Sequence, residues 1–394
     1  MVIHLPESYW LMVVVLAVCS TSLCGQDFVW TQTSAPTRNW YCVASSSDGK
    51  KLAAVDCVAA GDPGRIYTST DSGATWTQTT APSKPWVSIA SSSDGTKLVA
   101  AADFDWIYTS SNSGATWTPA SSLPPEPDFE WWSVASSSDG TKLVAVVNGG
   151  GIDTSTDSGA TWTETSAYNE DSWEYVASSA DGTKLVATDG GGKIHTSSNS
   201  GVTWAQTSAP WAYWGDVASS ADGTKLVAVA GIYGIYTSSN SGGTWTHTSA
   251  PGTNWLSVAS SSDGSKLMAV VWQGGIYAST NSGVTWKKTV VPDTTWHSIA
   301  CSADGTKLVA VVYGGGIWTA QATIQTMPSL TTTHSGSSVI VSWPYPSSGF
   351  VLQQNTSLST TNWTASGFTI ATNGSINSVT ITAAKGNLFF RLAQ

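Results

Sequence analysis

The sequence predicts an all-β fold: a seven-bladed β-propeller of four-stranded blades, closed by an N-terminal strand and followed by a small C-terminal β-sandwich. Three observations carry this prediction. A tryptophan-led segment recurs seven times, at Trp40, Trp86, Trp132, Trp173, Trp214, Trp255 and Trp296, with two spacings of 46 residues and then four of 41. That period matches one four-stranded blade per copy. Each copy also divides into four short runs at turn signals, and near residue 326 the pattern stops.

Taken in order, residues 1–25 read as an export leader. The apolar run Leu11 to Cys19 is too short to span a bilayer, and small residues from Ser20 to Gly25 follow it. The expected location is secreted, cell-surface or periplasmic through bacterial-type export, with no transmembrane segment in the mature chain. Cys19 and Cys24 raise the alternative of lipid attachment, but the residues before them fit that signal poorly.

Residues 26–326 form the expected propeller. Strand one of each copy is Trp-x-Ser-Val-Ala-Ser, and a Ser-Asp-Gly-Thr turn follows it. There Gly supplies a positive φ and Asp accepts turn amides. Strand two, Lys-Leu-Val-Ala-Val, is apolar on both faces, as befits a strand between neighbouring blades. A Gly-rich loop leads to strand three, Gly-Ile-Tyr-Thr-Ser. An eight-residue turn, Ser-x-(Asp/Asn)-Ser-Gly-x-Thr-Trp, then enters strand four. The seventh copy lacks its fourth strand. Val29-Trp30-Thr31-Gln32-Thr33 repeats the sequence of such a strand, so the N-terminus is expected to complete the last blade.

The eight-residue turn resembles the Asp-box, or BNR repeat, of sialidase-like and sortilin-like propellers. Six copies stand in register at the blade period: Ser69–Trp76, Ser110–Trp117, Ser155–Trp162, Ser197–Trp204, Ser238–Trp245 and Ser279–Trp286. The box position holds Asp71, Asn112, Asp157, Asn199, Asn240 and Asn281. Asn can accept turn hydrogen bonds but cannot act as an acid, so the box reads as a folding device. The ring also resembles the photosystem II assembly-factor type of propeller, which binds a membrane-protein precursor partly through basic residues. With three arginines in the whole chain, what carries over is a non-catalytic scaffold.

Residues 327–394 carry alternating runs such as Ser338–Trp343, Phe350–Gln354, Val379–Thr382 and Leu388–Leu392, which read as a small β-sandwich. The Phe-x-Leu-Gln, Trp-Thr and Phe-Phe-Arg-Leu outline is similar to C-terminal modules of secreted bacterial proteins and implies no activity.

Composition narrows the partners. The formal charge is −10 and only 11% of residues are charged, which removes the basic groove that nucleic acid requires. An anionic membrane surface is an equally poor partner. Cys42 and Cys57 lie on adjacent strands of one expected hairpin and could form a disulfide, leaving Cys301 over. No Cys/His spacing suits a metal, and no cofactor motif is present.

Function is expected on one face. The Ser-Asp-Gly-Thr turn and the box repeat almost unchanged at one end of the blades, while the loops at the other end vary. Both insertions, within Asp56–Arg65 and Pro119–Glu130, fall in those variable loops. Trp106, Trp131, Trp211 and Trp272 are left once the repeated tryptophans are set aside, and all fall there. Phe104, Tyr213, Tyr233, Tyr313, Asp103, Asp105, Glu126, Asp128, Glu130 and Asp216 lie nearby. Aromatic faces beside hydrogen-bonding acids suit a carbohydrate, and a protein ligand is the other candidate. The plain alternative is that these rings fill the channel mouth or pack under their own loops.

The enzyme reading fares worse. Sialidases hold the substrate carboxylate with three arginines, whereas this propeller has Arg38 and Arg65 and no Phe/Tyr-Arg-Ile-Pro motif. The alternative is a glycoside hydrolase of the Asp-box type using two facing acids, drawn from Asp103, Asp105, Asp189 and Asp216. No spacing singles out a pair. The expected function is therefore an exported, non-catalytic binding or scaffold propeller.

Overall fold

The computed structural model describes residues 3–4, 10–15, 27–57, 64–120, 130–167, 172–323, 329–335, 338–345, 350–357, 359, 362–382 and 386–393. Every regular element among them is a β-strand. The chain divides into two compact units, Asp27–Thr323 and Met1–Gln26 with Ile324–Gln394.

In Asp27–Thr323 the strands form five separate four-stranded antiparallel sheets and one eight-stranded sheet. The latter consists of two four-stranded groups. One runs Arg38–Ser45, Leu52–Asp56, Ile66–Ser69 and Thr77–Gln78; the other runs Trp296–Cys301, Lys307–Gly315, Ile317–Thr323 and Asp27–Gln32. Tyr313 opposite Asn39 and Gly315 opposite Arg38 join the groups. Asp27–Gln32 occupies the fourth place that the last repeat leaves vacant, with Trp30 opposite Ala320.

The apolar run of each second strand is buried, as in Leu52–Asp56, Leu98–Ala102 and Leu267–Val271. Short β-branched and Ala side chains allow neighbouring sheets to approach on both faces, which the apolar run in the sequence anticipates. Behind each first strand lies a buried tryptophan, and in every repeat but the third it meets a strand-three ring edge-on. Trp40 meets Tyr67 at 5.3 Å between centroids, and Trp214 meets Tyr236 at 5.4 Å.

Five of the first strands carry a bulge immediately after this tryptophan, between Trp40 and Cys42, Trp86 and Ser88, Trp173 and Tyr175, Trp255 and Ser257, and Trp296 and Ser298. In the third repeat the bulge lies between Trp131 and Ser133. Trp131, 1% exposed, is therefore the repeated core tryptophan, and Trp132 is the extra residue of the bulge. The expected assignment of this Trp-Trp pair was reversed. Adjacent identical residues leave the register to the bulge, which a spacing count does not see.

That bulge also corrects the Cys42–Cys57 disulfide. Cys42 pairs with Val55, its thiol lies 3.8 Å from the Ile89 carbonyl, and the Cys57 amide follows the strand end to bond Asn39. The two cysteines are not joined.

At the end carrying the Ser-Asp-Gly turns, the sheets are linked by main-chain hydrogen bonds of 2.7–2.8 Å. Ser47 N–H donates to the Ser93 carbonyl, Ser93 to Ser138, Ser138 to Ala180, Ala180 to Ala221, Ala221 to Ser262, Ser262 to Ala303, and Ala303 back to Ser47. Beside this circuit, the lysine that starts each second strand lies on the turn glycine of the next repeat. At Gly95, whose φ is +67°, a Cβ would come within 2.7 Å of Lys51.

In the second unit, one sheet orders Thr331–Ser335, Ser338–Pro344, Ile376–Thr382 and Ala371–Asn373. The other orders Ile3–His4, Trp10–Val15, Gly386–Ala393, Val351–Asn355 and Thr364–Ala365. Val339, Trp343 and Ile381 from the first share a core with Leu352, Phe390 and Leu392 from the second. Part of the apolar leader, Trp10–Val15, pairs in parallel with Gly386–Ala393. No helix among the described residues is long and apolar enough to cross a membrane.

Candidate functional site

Because consecutive strands are antiparallel, the turns after strands one and three lie at one end of each sheet, and the remaining loops lie at the other. The first end is built from repeated structural turns. Asp71 accepts from the Ser69 hydroxyl (2.8 Å), the Thr75 amide (2.9 Å) and the Thr75 hydroxyl (2.6 Å). Asp157 does the same for Ser155 and Thr161. Asn112 accepts from Ser110 and the Thr116 amide, and its own amide donates to the Thr116 hydroxyl. Asn199, Asn240 and Asn281 repeat that pattern. The oxygens are committed to the turn, in line with a folding role. Cavities of about 280 and 310 Å³ also lie at this end, in grooves between neighbouring sheets lined by residues such as Lys184, Ser197 and Trp204, or Leu52, Ser72 and Lys307. They repeat shared scaffold chemistry and hold no distinctive group.

The opposite end is individual. His297, the extra residue of the last bulge, stacks on Tyr41, the extra residue of the first, at 4.2 Å between centroids. Trp272 lies 6.0 Å from His297 and 6.1 Å from Tyr313, and Tyr313 lies 6.0 Å from His297. Four rings from three neighbouring repeats thus form one cluster, with Tyr313 37% exposed. Burial lowers the pKa of His297, and its Nδ1–H donates to the Tyr41 carbonyl at 2.6 Å. Burial thus favours the neutral imidazole. Burial, then the Cys57 and Cys42 thiols, then Asp103 raise the Tyr41 phenol to about 12.

Acids lie at the same end. Asp103 is raised by burial and then by the neighbouring Glu130, and its Oδ1 is buried without a hydrogen-bond partner among the described residues. Glu174, the extra residue of the fourth bulge, is raised by burial and then by Asp189. The Trp132 indole hydrogen-bonds the Tyr175 phenol, which is raised by burial and next by Asp216.

Asp216 itself is structural. Most repeats place Ser at its position, and that hydroxyl accepts the next repeat's amide, as Ser88 does from Val134 at 3.1 Å. Tyr175 in the preceding repeat makes no such bond, so Asp216 Oδ1 takes its own neighbour Val217, while Oδ2 takes Val258 and the Ser257 hydroxyl. Burial outweighs these bonds and raises Asp216 to about 6.

The remaining expected site residues disperse. Trp131 is core, and Trp106 is partly buried between two core clusters. Asp105 is held by Lys84, the Trp106 amide and the Tyr108 hydroxyl. Trp211 and Tyr213, 60% and 62% exposed, make a separate edge-to-face pair at 5.0 Å. Tyr233, 49% exposed, offers its carbonyl to His247. Asp189 accepts from Lys193 N–H and lies 3.0 Å from His195. Glu126 and Asp128 lie outside the described residues. Tyr41, His297, Trp132 and Glu174 were missed by the sequence reading. Each follows a core tryptophan by one position, a signal present in the repeat but visible only once the bulge is recognised.

No family model matches the chain, and no curated protein matches it. Solved structures do. A structure titled YCF48 bound to D1 peptide aligns with TM-score 0.59 at 15% identity, covering 77% of this chain and 99% of that one. YCF48 from Cyanidioschyzon merolae gives 0.58 at 15% identity over 74% and 98%. The Cps50 (Swd1) β-propeller domain of Myceliophteria thermophila gives 0.59 at 11% over 75% and 100%. At these identities the likeness establishes the β-propeller fold.

Proposed function

We propose that the chain is an exported, non-catalytic, seven-bladed Asp-box propeller with a C-terminal sandwich module, and that it binds carbohydrate or protein at the variable end of its channel. The observation that carries this reading is the cluster of Tyr41, Trp272, His297 and Tyr313, four rings gathered from three repeats at the strand ends that adjoin the divergent loops. Rings that served only folding would recur in every repeat, as the core tryptophans do. YCF48, of the same fold, has been solved with a peptide, which supports a protein ligand here.

Glycan and peptide arrays probed with the full chain test the reading. Binding that is lost in Trp272→Ala and Tyr313→Ala, with unchanged melting, supports it. Binding that survives both substitutions, or none on either array, removes the site.

The glycoside-hydrolase alternative has one favouring observation, the proximity of Asp103 and Glu130. It requires reducing sugar to be released from a polysaccharide, and Asp103→Asn to abolish that release.

A further inference from the structure

The mouth has two unlike arcs. Trp272, His297, Tyr313 and Tyr41 form an aromatic arc, and Asp103, whose buried Oδ1 has no hydrogen-bond partner among the described residues, adjoins it with Glu130 as an acidic one. Asp103 belongs to both, since its charge acts on Tyr41 and the charge of Glu130 acts on it. Among the described residues, no cation pairs with Asp103, Glu130 or Glu174. Neighbouring acids elsewhere are paired: Arg38 with Asp56, Lys84 with Asp105 and Lys288 with Asp293. Burying part of an unpaired carboxylate beside another is unfavourable and is relieved by a positive charge.

The rings favour the same sign of charge. Tyr41, Trp272 and Tyr313 present negative π-faces, and the neutral imidazole adds no repulsion. Their mutual tilts, 34° to 82°, do not make the flat platform on which a pyranose ring would lie. A slim chain ending in a cation suits such tilted faces better than a sugar ring does. The protein's charge of −10 favours the approach of a basic partner over any distance.

We propose that the mouth receives a lysine side chain of a partner polypeptide, with its stem across the outer faces of the Tyr41, Trp272 and Tyr313 rings and its ammonium at Asp103. This rests on the reading of the mouth as the binding site.

Calorimetric titration of the full chain with the peptide acetyl-Gly-Gly-Lys-Gly-Gly-amide tests it. Binding is expected, weaker as salt is added, and lost when the lysine is Nε-acetylated. Asp103→Asn should weaken it at least about tenfold with no loss of thermal stability. Trp272→Ala should weaken it similarly. Equal binding of the acetylated peptide, an unchanged affinity in Asp103→Asn, or no binding of the lysine peptide would overturn the proposal. A neutral glycan that binds and depends on Trp272 would do so while leaving the mouth as the site. A glucosamine tetramer bound in place of the peptide would keep the cation and reject the polypeptide. Absence of every ligand at the mouth would remove both readings.

Discussion

The imidazole of His297 donates its Nδ1–H to the carbonyl of Tyr41 at 2.6 Å and stacks on the same residue's ring. One side chain thereby joins the last repeat to the first by both a polar and an apolar contact. His297→Ala removes both and should cost about 1–3 kcal/mol in a denaturant melt. Its burial lowers the imidazole pKa, so an NMR titration should find it below the ordinary 6.5. A folded protein that favours neutral histidine loses that contribution as pH falls through 6.5, where the unfolded chain gains the proton.

Asp153 breaks the pattern of rings behind the core tryptophans. Tyr67, Tyr108, Tyr236 and Tyr277 occupy its place in other repeats and meet Trp40, Trp86, Trp214 and Trp255 edge-on. Asp153 instead sits opposite Glu164, and burial together with that charge raises it to about 6. Asp153→Tyr should stabilise the protein by about 1 kcal/mol at pH 7.5. The gain should shrink at pH 5, where Asp153 already carries its proton.

The melting temperature should pass through a maximum between about pH 4 and 6. Asp94, Asp139, Asp181, Asp222 and Asp263 are held at about 2 by their turn hydroxyls and amides. Their contribution is complete above the unfolded carboxylate pKa near 4 and disappears as pH falls toward 2. Asp153 and Asp216, raised to about 6, act in the opposite sense. The folded state binds their protons more tightly, so stability falls as pH rises from 4 through 6, partly offset by His297. Thermal melts from pH 2 to 8 check this, and a profile rising steadily across the whole range would contradict it.

Asp27–Gln32 pairs with Ile317–Thr323, and Phe28, 7% exposed, enters the core between those strands and the preceding sheet. Phe28→Ala should therefore cost about 3–5 kcal/mol. Deleting residues 28–34 should lower the melting temperature further than that substitution does. An unchanged melt after the deletion would show that the strand is dispensable.

Much of this was legible in the sequence, because the repeated features answer to local chemistry. Gly49 and Gly95 need positive φ, Asp71 and Asn112 each cap the same turn, and Leu-Val-Ala-Val runs are apolar on both faces. The variable end was legible only in outline. Trp272, Tyr313 and Asp103 were found, but Tyr41 and His297 were hidden by a bulge whose register depends on the paired strand. Asp105 was indistinguishable from Asp103 in sequence, since the difference lies in Lys84, which reaches one and not the other. Cys42 and Cys57 failed for the same reason as Trp131: a one-residue register shift changes every partner.

The main-chain circuit running from Ser47 through Ala303 and back has no origin. Its links are peptide groups, indifferent to whether Ser or Ala occupies the position, and every link is equivalent to the next. Asp27 lies directly opposite Thr323, so the two ends of the repeat array could be spliced by a short linker and new termini opened at any variable loop. Such circular permutants of 27–323 would start in different repeats yet close the same loop of amides. The order in which the repeats are synthesised is thus separable from the architecture they adopt.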